Sequence, residues 1–236
     1  MRYQPVSDRG TQSKSAWNNG LSWFLCHVKF EAKQDISLPQ GRHTSFEVST
    51  VTTDPPISHA SVFWLTGLPG AGKTTLAQAF AIRIRRQSQA VLILDGDVVR
   101  RGLSADLGFS PEARYENIRR VAEVAKLQSE SGIVVIAALI TPRATDRQLA
   151  KGIVGDASFV EVFVDAPLAV CEARDPKGMY REARTGARVA FTGLTAPYET
   201  PSDPSVHLQT NHMSVFKCVD ELERAWLAFS DRPTTA

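Results

Sequence analysis

The sequence predicts an α/β fold of three layers, with a mainly parallel central sheet and helices on both faces. Two observations predict it. From Ser61 onward, apolar runs of strand length at 61–66, 90–94, 133–140 and 159–164 alternate with segments of helical period. Strands joined through helices pair in parallel, because each crossover returns the chain to the same end of the sheet. The second observation is the first strand-to-helix junction, Ser61-Val-Phe-Trp-Leu-Thr-Gly-Leu-Pro-Gly-Ala-Gly-Lys-Thr-Thr-Leu-Ala, where the apolar run stops at Gly67 and a helix-forming run begins near Lys73. Gly67, Gly72, Lys73 and Thr74 satisfy the spacing G-x-x-x-x-G-K-[ST] in the strand and helix context that this phosphate-binding motif needs.

Residues 1–60 mix Ser, Thr, Gln, Asn and Gly with Trp17, Trp23, Phe24 and Phe30, and end in Asp54-Pro55-Pro56, a helix-incompatible boundary. They read as an extension of unknown role, either poorly ordered with aromatics that pack on the main domain or a separate element that binds a partner. His27 and His43 have no second ligand at metal spacing. The domain proper is expected over 61–230, with a short tail at 231–236. A chain of 236 residues, 43% of them hydrophobic, has material for one substantial core.

In the first junction, Gly67, Leu68, Pro69, Gly70, Ala71, Gly72, Lys73, Thr74 and Thr75 are expected to cradle the phosphates of a nucleotide. A Gly-rich turn exposes backbone N–H groups to an anion at a helix N-terminus. Lys73 would reach the β- and γ-phosphates, and the Thr74 hydroxyl would hold Mg²⁺. A dinucleotide fingerprint fails because Thr75 stands where its third glycine belongs, and the absence of N-K-x-D disfavours a GTPase.

In sheets of this kind ligands sit at the carboxyl ends of the strands. After the second strand comes Leu94-Asp95-Gly96-Asp97-Val98-Val99-Arg100. Asp95 is the candidate base for an acceptor hydroxyl or for the water shell of Mg²⁺. Asp97 is a second carboxylate or the cap of the following helix. Arg100 suits a bidentate clamp on an anionic acceptor, with a surface ion pair as the competing reading. The next helix starts with Ser110 at N-cap and Pro111 at N1 and runs to about Ser129. Arg114 and Asn117, three apart, share a face near its start, and Phe109 offers a flat stacking surface. After the third strand comes Thr141-Pro142-Arg143, and after the fourth Asp165-Ala166-Pro167. Residues 174–188 concentrate five Arg or Lys around two glycines and read as a basic lid. A strand near 205–209 and a helix near 214–229 close the unit, with Val215, Val219, Leu222, Trp226 and Phe229 at core spacing.

A formal charge of +2 carries no electrostatic argument for nucleic acid, and no apolar run reaches transmembrane length. Cys26, Cys171 and Cys218 are odd in number and far apart, which favours buried thiols in a reducing cytoplasm. Oligomeric state is left open, a homodimer among the options.

The chain resembles adenylylsulfate kinases over roughly 61–229, in Gly67–Thr75, Asp95-Gly-Asp-Val-Val-Arg, Asp106-Leu-Gly-Phe, Glu116-Asn-Ile-Arg-Arg, Glu123-Val-Ala-Lys-Leu, Arg174-Asp-Pro-Lys-Gly, Phe191-Thr-Gly and Ala196-Pro-Tyr-Glu. The resemblance implies a P-loop kinase fold with a basic lid. It also implies transfer of the ATP γ-phosphate, with Mg²⁺, to the 3′-hydroxyl of adenosine 5′-phosphosulfate. By the same resemblance Asp95, Arg100, Arg114 and Asn117 hold the acceptor, Phe109 and Phe191 sandwich its adenine, and Lys177 enters from the lid. Ile140-Thr141-Pro142 stands where the family usually has Ile-Ser-Pro, whose serine is the proposed phosphorylated residue. Thr141 keeps a hydroxyl and a part in placing the acceptor, while its extra methyl weakens the case for a phosphoenzyme. Ala113 stands where the family commonly has Asp, and lost capping is expected there. A catalytically silent regulatory partner of a sulfate-activating complex, and another small-molecule kinase of this architecture, are the alternatives.

Overall fold

The computed structural model describes residues 60–186 and 191–230. The expectations for Trp17, Trp23, Phe24, Phe30, Cys26, His27, His43, the lid positions Ala187 and Arg188, and the tail 231–236 lie outside these residues.

Five parallel strands form one sheet: β1 (Val62–Thr66), β2 (Val91–Asp95), β3 (Val134–Ala138), β4 (Phe159–Asp165) and β5 (Val206–Gln209). Their order is β2-β3-β1-β4-β5, so the phosphate-loop strand is the middle one and the apolar runs of β3 and β4 flank it. Every residue of β1 is buried, as a strand covered on both faces requires.

Alternate residues of β1 feed two cores. Phe63 and Leu65 join the core that includes Leu76, Phe80 and Ile84 of α1 (Lys73–Arg86) and Val219, Leu222 and Trp226 of α7 (Val215–Ser230). Val62 and Trp64 join the core that includes Ile118, Val121 and Ala125 of α3 (Pro111–Glu130) and Ala150 of α4 (Ala144–Val154). The two faces of one strand are thereby fixed to opposite helix layers. In α7 the buried stripe runs through Cys218, Val219, Leu222 and Trp226. Val215, expected in that stripe, is 45% exposed because it lies in the first turn, ahead of the packed segment.

Helix starts follow their local chemistry. Ser110 caps α3, its hydroxyl accepting from the Ala113 amide at 3.2 Å, with Pro111 at N1. The loss expected at Ala113 is offset one residue earlier. The Glu112 carboxyl is held below its usual range by its own amide and by the Ser110 hydroxyl, so an acidic group still faces the helix start.

The basic segment is more ordered than a plain hinge. It begins at the end of α5 (Leu168–Arg174), and α6 (Met179–Arg184) anchors it through buried Tyr180 and Ala183. The short α2 (Gly96–Arg101) follows β2 directly.

Candidate active site

The phosphate loop is held from outside by its carbonyls. Lys73 Nζ donates to the carbonyls of Gly67 and Leu68, both at 2.8 Å, and the Tyr180 hydroxyl to that of Pro69 at 2.9 Å. Arg174 lies 3.4 Å from the carbonyls of Gly70 and Ala71, and Thr210 Oγ1 donates to that of Ala71 at 2.8 Å. With these oxygens turned toward protein donors, the first turn of α1 leaves its amides for an anion. Two glycines are dictated by contact: a Cβ at Gly67 would lie 2.2 Å from the Val164 carbonyl oxygen, and one at Gly70, where φ is +77°, would lie 2.7 Å from that of Cys171. Burial pulls the Lys73 ammonium down to about 8, against the attraction of nearby acidic groups including Asp95. A bound polyphosphate would reverse that shift.

Strand β2 is separated from β1 by β3, yet its carboxylate reaches the loop. Thr74 Oγ1 donates to Asp95 Oδ2 at 2.6 Å, while Asp95 Oδ1 accepts from the Asp97 amide at 3.0 Å. Asp95 is therefore the cap of α2, and the capping role considered for Asp97 is corrected. The aspartate with β-region backbone ahead of the helix takes the cap. Asp97, inside the first turn, turns outward to pair with Lys177 of the basic segment.

At the end of α2 the Arg100 guanidinium lies 4.5 Å from the centroid of the Phe109 ring and donates to the Gly108 carbonyl at 2.8 Å. Arg114 Nε donates to the Phe109 carbonyl at 3.0 Å, and its Nη1 lies 3.4 Å from Thr192 Oγ1. Arg114 thus ties the Phe109 loop to the segment beginning at Phe191. Burial lowers the basicity of both guanidiniums, with a further push on Arg100 from Arg114 and on Arg114 from Arg143. Three guanidiniums gathered in one region suit a multiply charged anion. Asn117 is 4% exposed with its Oδ1 unpartnered among the described residues. The two aromatics differ: Phe109 is 62% exposed, whereas Phe191 is 7% exposed and packs edge-on against Tyr180. Any stacking by Phe191 uses one edge of a residue that is chiefly core.

At the end of β3 the hydroxyl of Thr141 is not presented to the cleft. Thr141 is 2% exposed, and its Oγ1 accepts from the Trp64 indole at 3.0 Å. The catalytic hydroxyl expected there is corrected to a buried acceptor, because the indole inside the sheet's second core needs a partner. Its backbone sits at φ +40°, a conformation that costs a β-branched residue on the order of 1–3 kcal/mol. The Ile140 carbonyl accepts from Thr66 Oγ1 at 2.7 Å and from the Gly67 amide at 3.4 Å, which ties this turn to the phosphate loop.

Residues 59–209 match the family model described as adenylylsulphate kinase. The adenylyl-sulfate kinase of Paraburkholderia xenovorans is 53% identical over 165 residues, covering 70% of this chain and 92% of that one. The chain belongs to the adenylylsulphate kinase family. The adenylyl-sulfate kinase of Aeromonas hydrophila is 52% identical over 161 residues, 68% of this chain and 82% of the relative. Among solved structures, the Mycobacterium tuberculosis APS kinase in complex with AMPPNP and APS superposes with a TM-score of 0.69 at 40% identity, covering 72% of this chain and 98% of that one. The α/β P-loop fold is common to both.

Within this member of the adenylylsulphate kinase family, Arg174, Tyr180 and Thr210 support the phosphate loop, and sequence reading did not single them out for it. The basic segment's composition pointed to a lid, but nothing in it signals that Arg174 and Tyr180 face the loop's outer carbonyls. Thr75, in the first turn of α1, is exposed beside the cradle. Hard oxygen donors at Thr74 and Asp95 fit a Mg²⁺ ion that takes its remaining ligands from phosphates and water. Among the described residues there is no cluster of three His, Cys, Asp or Glu side chains of metal-binding kind, and no helix is long and apolar enough to cross a membrane.

Proposed function

We propose that this chain transfers the γ-phosphate of ATP to the 3′-hydroxyl of adenosine 5′-phosphosulfate, with residues 61–230 carrying the activity. The single observation behind this reading is the 2.6 Å contact between Thr74 Oγ1 and Asp95 Oδ2, which joins the phosphate loop to the carboxylate at the end of β2 and supports a donor and an acceptor bound side by side. The likeness to a kinase solved with AMPPNP and APS supports the two-nucleotide assignment.

In the proposed mechanism the amides of Gly67–Thr75 bind the donor phosphates, and Lys73 moves from its carbonyl partners to the β- and γ-oxygens. Thr74 and Asp95 would hold Mg²⁺, which when bound would screen the charge of the phosphates. Arg100 and Arg114 clamp the anionic end of the acceptor, Phe109 stacks on its adenine with Phe191 at the opposite edge, and Asn117 offers its unpartnered oxygen. Asp95 accepts the 3′-hydroxyl proton as that oxygen forms its bond to the γ-phosphorus and the bond to the bridging oxygen breaks. Lys177, paired with Asp97, closes the basic segment over the phosphates and excludes water. Ile140 and Thr141 place the acceptor through their backbone. Two of the cysteines, Cys171 and Cys218, are free and buried, which suits a reducing cytoplasm.

The test is ADP release from MgATP with and without adenosine 5′-phosphosulfate. Release that depends on the acceptor supports the proposal; release at the same rate without it counts against it.

A further inference from the structure

The backbone of Thr141 is held in the left-handed region by a set of buried donors that no part of the mechanism above uses. Trp64 Nε1 binds the Thr141 hydroxyl at 3.0 Å, and Arg147 Nη1 binds the Thr141 carbonyl at 3.1 Å. Thr66 Oγ1, in a residue with no exposed surface, lies 2.7 Å from the Ile140 carbonyl and 3.2 Å from that of Thr141. Its third neighbour is the Tyr198 hydroxyl at 2.9 Å. Thr66 has one proton and two carbonyls to give it to, so the phenol must be the donor between the two hydroxyls. Burial pushes the Tyr198 hydroxyl up to about 12, which keeps that proton in place across the working pH range.

This relay lies between the two substrate sites. Thr66 precedes the first glycine of the phosphate loop, whose amide also binds Ile140. Tyr198 belongs to the segment that starts at Phe191 and Thr192, where Arg114 binds. The next residue, Glu199, donates its amide to the Pro142 carbonyl at 2.8 Å and accepts from the Ala144 amide at 2.7 Å. The same turn is therefore gripped by the strand that leads into the phosphate loop and by the segment that Arg114 of the proposed acceptor pocket binds.

We propose that Tyr198 and Thr66 are positioning residues: their relay onto the Ile140–Thr141 turn sets the separation between the phosphate loop and the acceptor pocket. Thr66 has no exposed surface, and Tyr198 spends its hydroxyl on Thr66, so both would act through the turn. In-line transfer depends on that separation, and a displacement of about 1 Å lowers turnover on the order of 100-fold. Binding of each nucleotide alone depends on one side of the cleft only. The inference rests on the transferase reading above, which wild-type turnover of adenosine 5′-phosphosulfate checks separately.

The experiment measures kcat, both KM values and melting temperature for Tyr198→Phe, Thr66→Val, Thr66→Ser and the double variant Tyr198→Phe/Thr66→Val. The expected result is a fall in kcat of about 10- to 100-fold for Tyr198→Phe and Thr66→Val, with each KM within about threefold of wild type. Thr66→Ser, which keeps the hydroxyl, should retain most of the turnover, and the double variant should be no slower than the slower single one, because both changes break one relay. Unchanged kcat in folded Tyr198→Phe, multiplied losses in the double variant, or equal damage from Thr66→Ser and Thr66→Val would overturn the proposal. If Tyr198→Phe does not fold, the Thr66 pair decides alone. Absence of wild-type turnover would instead overturn the transferase reading.

Discussion

Replacing Asp95 separates two jobs that one carboxylate performs. Oδ1 caps α2 by accepting from the Asp97 amide at 3.0 Å, and Oδ2 meets the Thr74 hydroxyl at 2.6 Å. Asn keeps an oxygen for the cap, and Asn and Asp are near-equal caps, so Asp95→Asn should change stability by less than about 1 kcal/mol. It removes the negative charge and the basic site to which the proposed mechanism sends the acceptor proton. Loss of a general base lowers turnover by about 10²–10⁴, equivalent to roughly 3–5 kcal/mol of barrier. Asp95→Ala loses the cap as well, which adds about 1 kcal/mol of destabilisation and lowers the melting temperature by about 2–4 °C relative to Asn. Steady-state kinetics with both nucleotides varied, together with thermal melts, give both quantities. Affinity for ATP should fall far less than kcat in Asp95→Asn. The reasoning is refuted if Asp95→Asn retains turnover within threefold of wild type, or if Asn and Ala melt alike.

Lys73 gives a pH prediction. Burial lowers its pKa from 10.5 to about 8, so between those values the unfolded chain binds more protons than the native one and stability rises with pH, by on the order of 3 kcal/mol across the window. Urea titrations should show this rise in wild type relative to Lys73→Met, whose curve lacks it; parallel curves would contradict the buried ammonium. Lys73→Met should also weaken ATP binding and turnover together, unlike Asp95→Asn. Gly70→Ala forces a Cβ to 2.7 Å from the Cys171 carbonyl oxygen at φ +77°, and should both lower the melting temperature and abolish binding of an ATP analogue. Gly152→Ala, inside α4 with nothing within 4 Å of the new methyl, should raise stability by about 0.5–1 kcal/mol in the same melts. Phe109→Ala should raise KM for the acceptor with little change in melting, whereas Phe191→Ala, in the core against Tyr180, should cost about 3–5 kcal/mol of stability. Equal melting losses in the two would reject the assignment of Phe191 to the core.

What could be read ahead of the structure was whatever short-range pattern determines. The central strands are apolar on both faces, so their runs at 61–66, 133–140 and 159–164 locate β1, β3 and β4 to within a residue or two. Ser110-Pro111 and the Gly-rich loop are local signals of the same kind, and both stand where they were placed. Side-chain direction was less legible. By pattern alone Asp97 is the candidate cap and Asp95 the candidate base, and only the backbone of α2 moves the cap to Asp95. Thr141 looks like a presented hydroxyl until Trp64, 77 positions earlier, is seen to bind it. The Tyr198–Thr66 contact spans 132 positions and leaves no periodic trace, although Ala196-Pro-Tyr-Glu was part of the resemblance. Phe191 precedes Thr-Gly in a loop-like stretch, and its burial follows from α6 lying beneath it through Tyr180.

The central claim is that two nucleotides meet over one sheet, with the phosphoryl group passing to a ribose hydroxyl beside Asp95. The most direct measurement incubates the protein with Mg²⁺, ATP labelled at the γ-phosphate and adenosine 5′-phosphosulfate, then locates the label in the product by chromatography and phosphorus NMR. The account predicts one labelled monoester at the 3′ position, formed by wild type and nearly absent with Asp95→Asn. Label released as inorganic phosphate, or carried on another acceptor in preference, would contradict it.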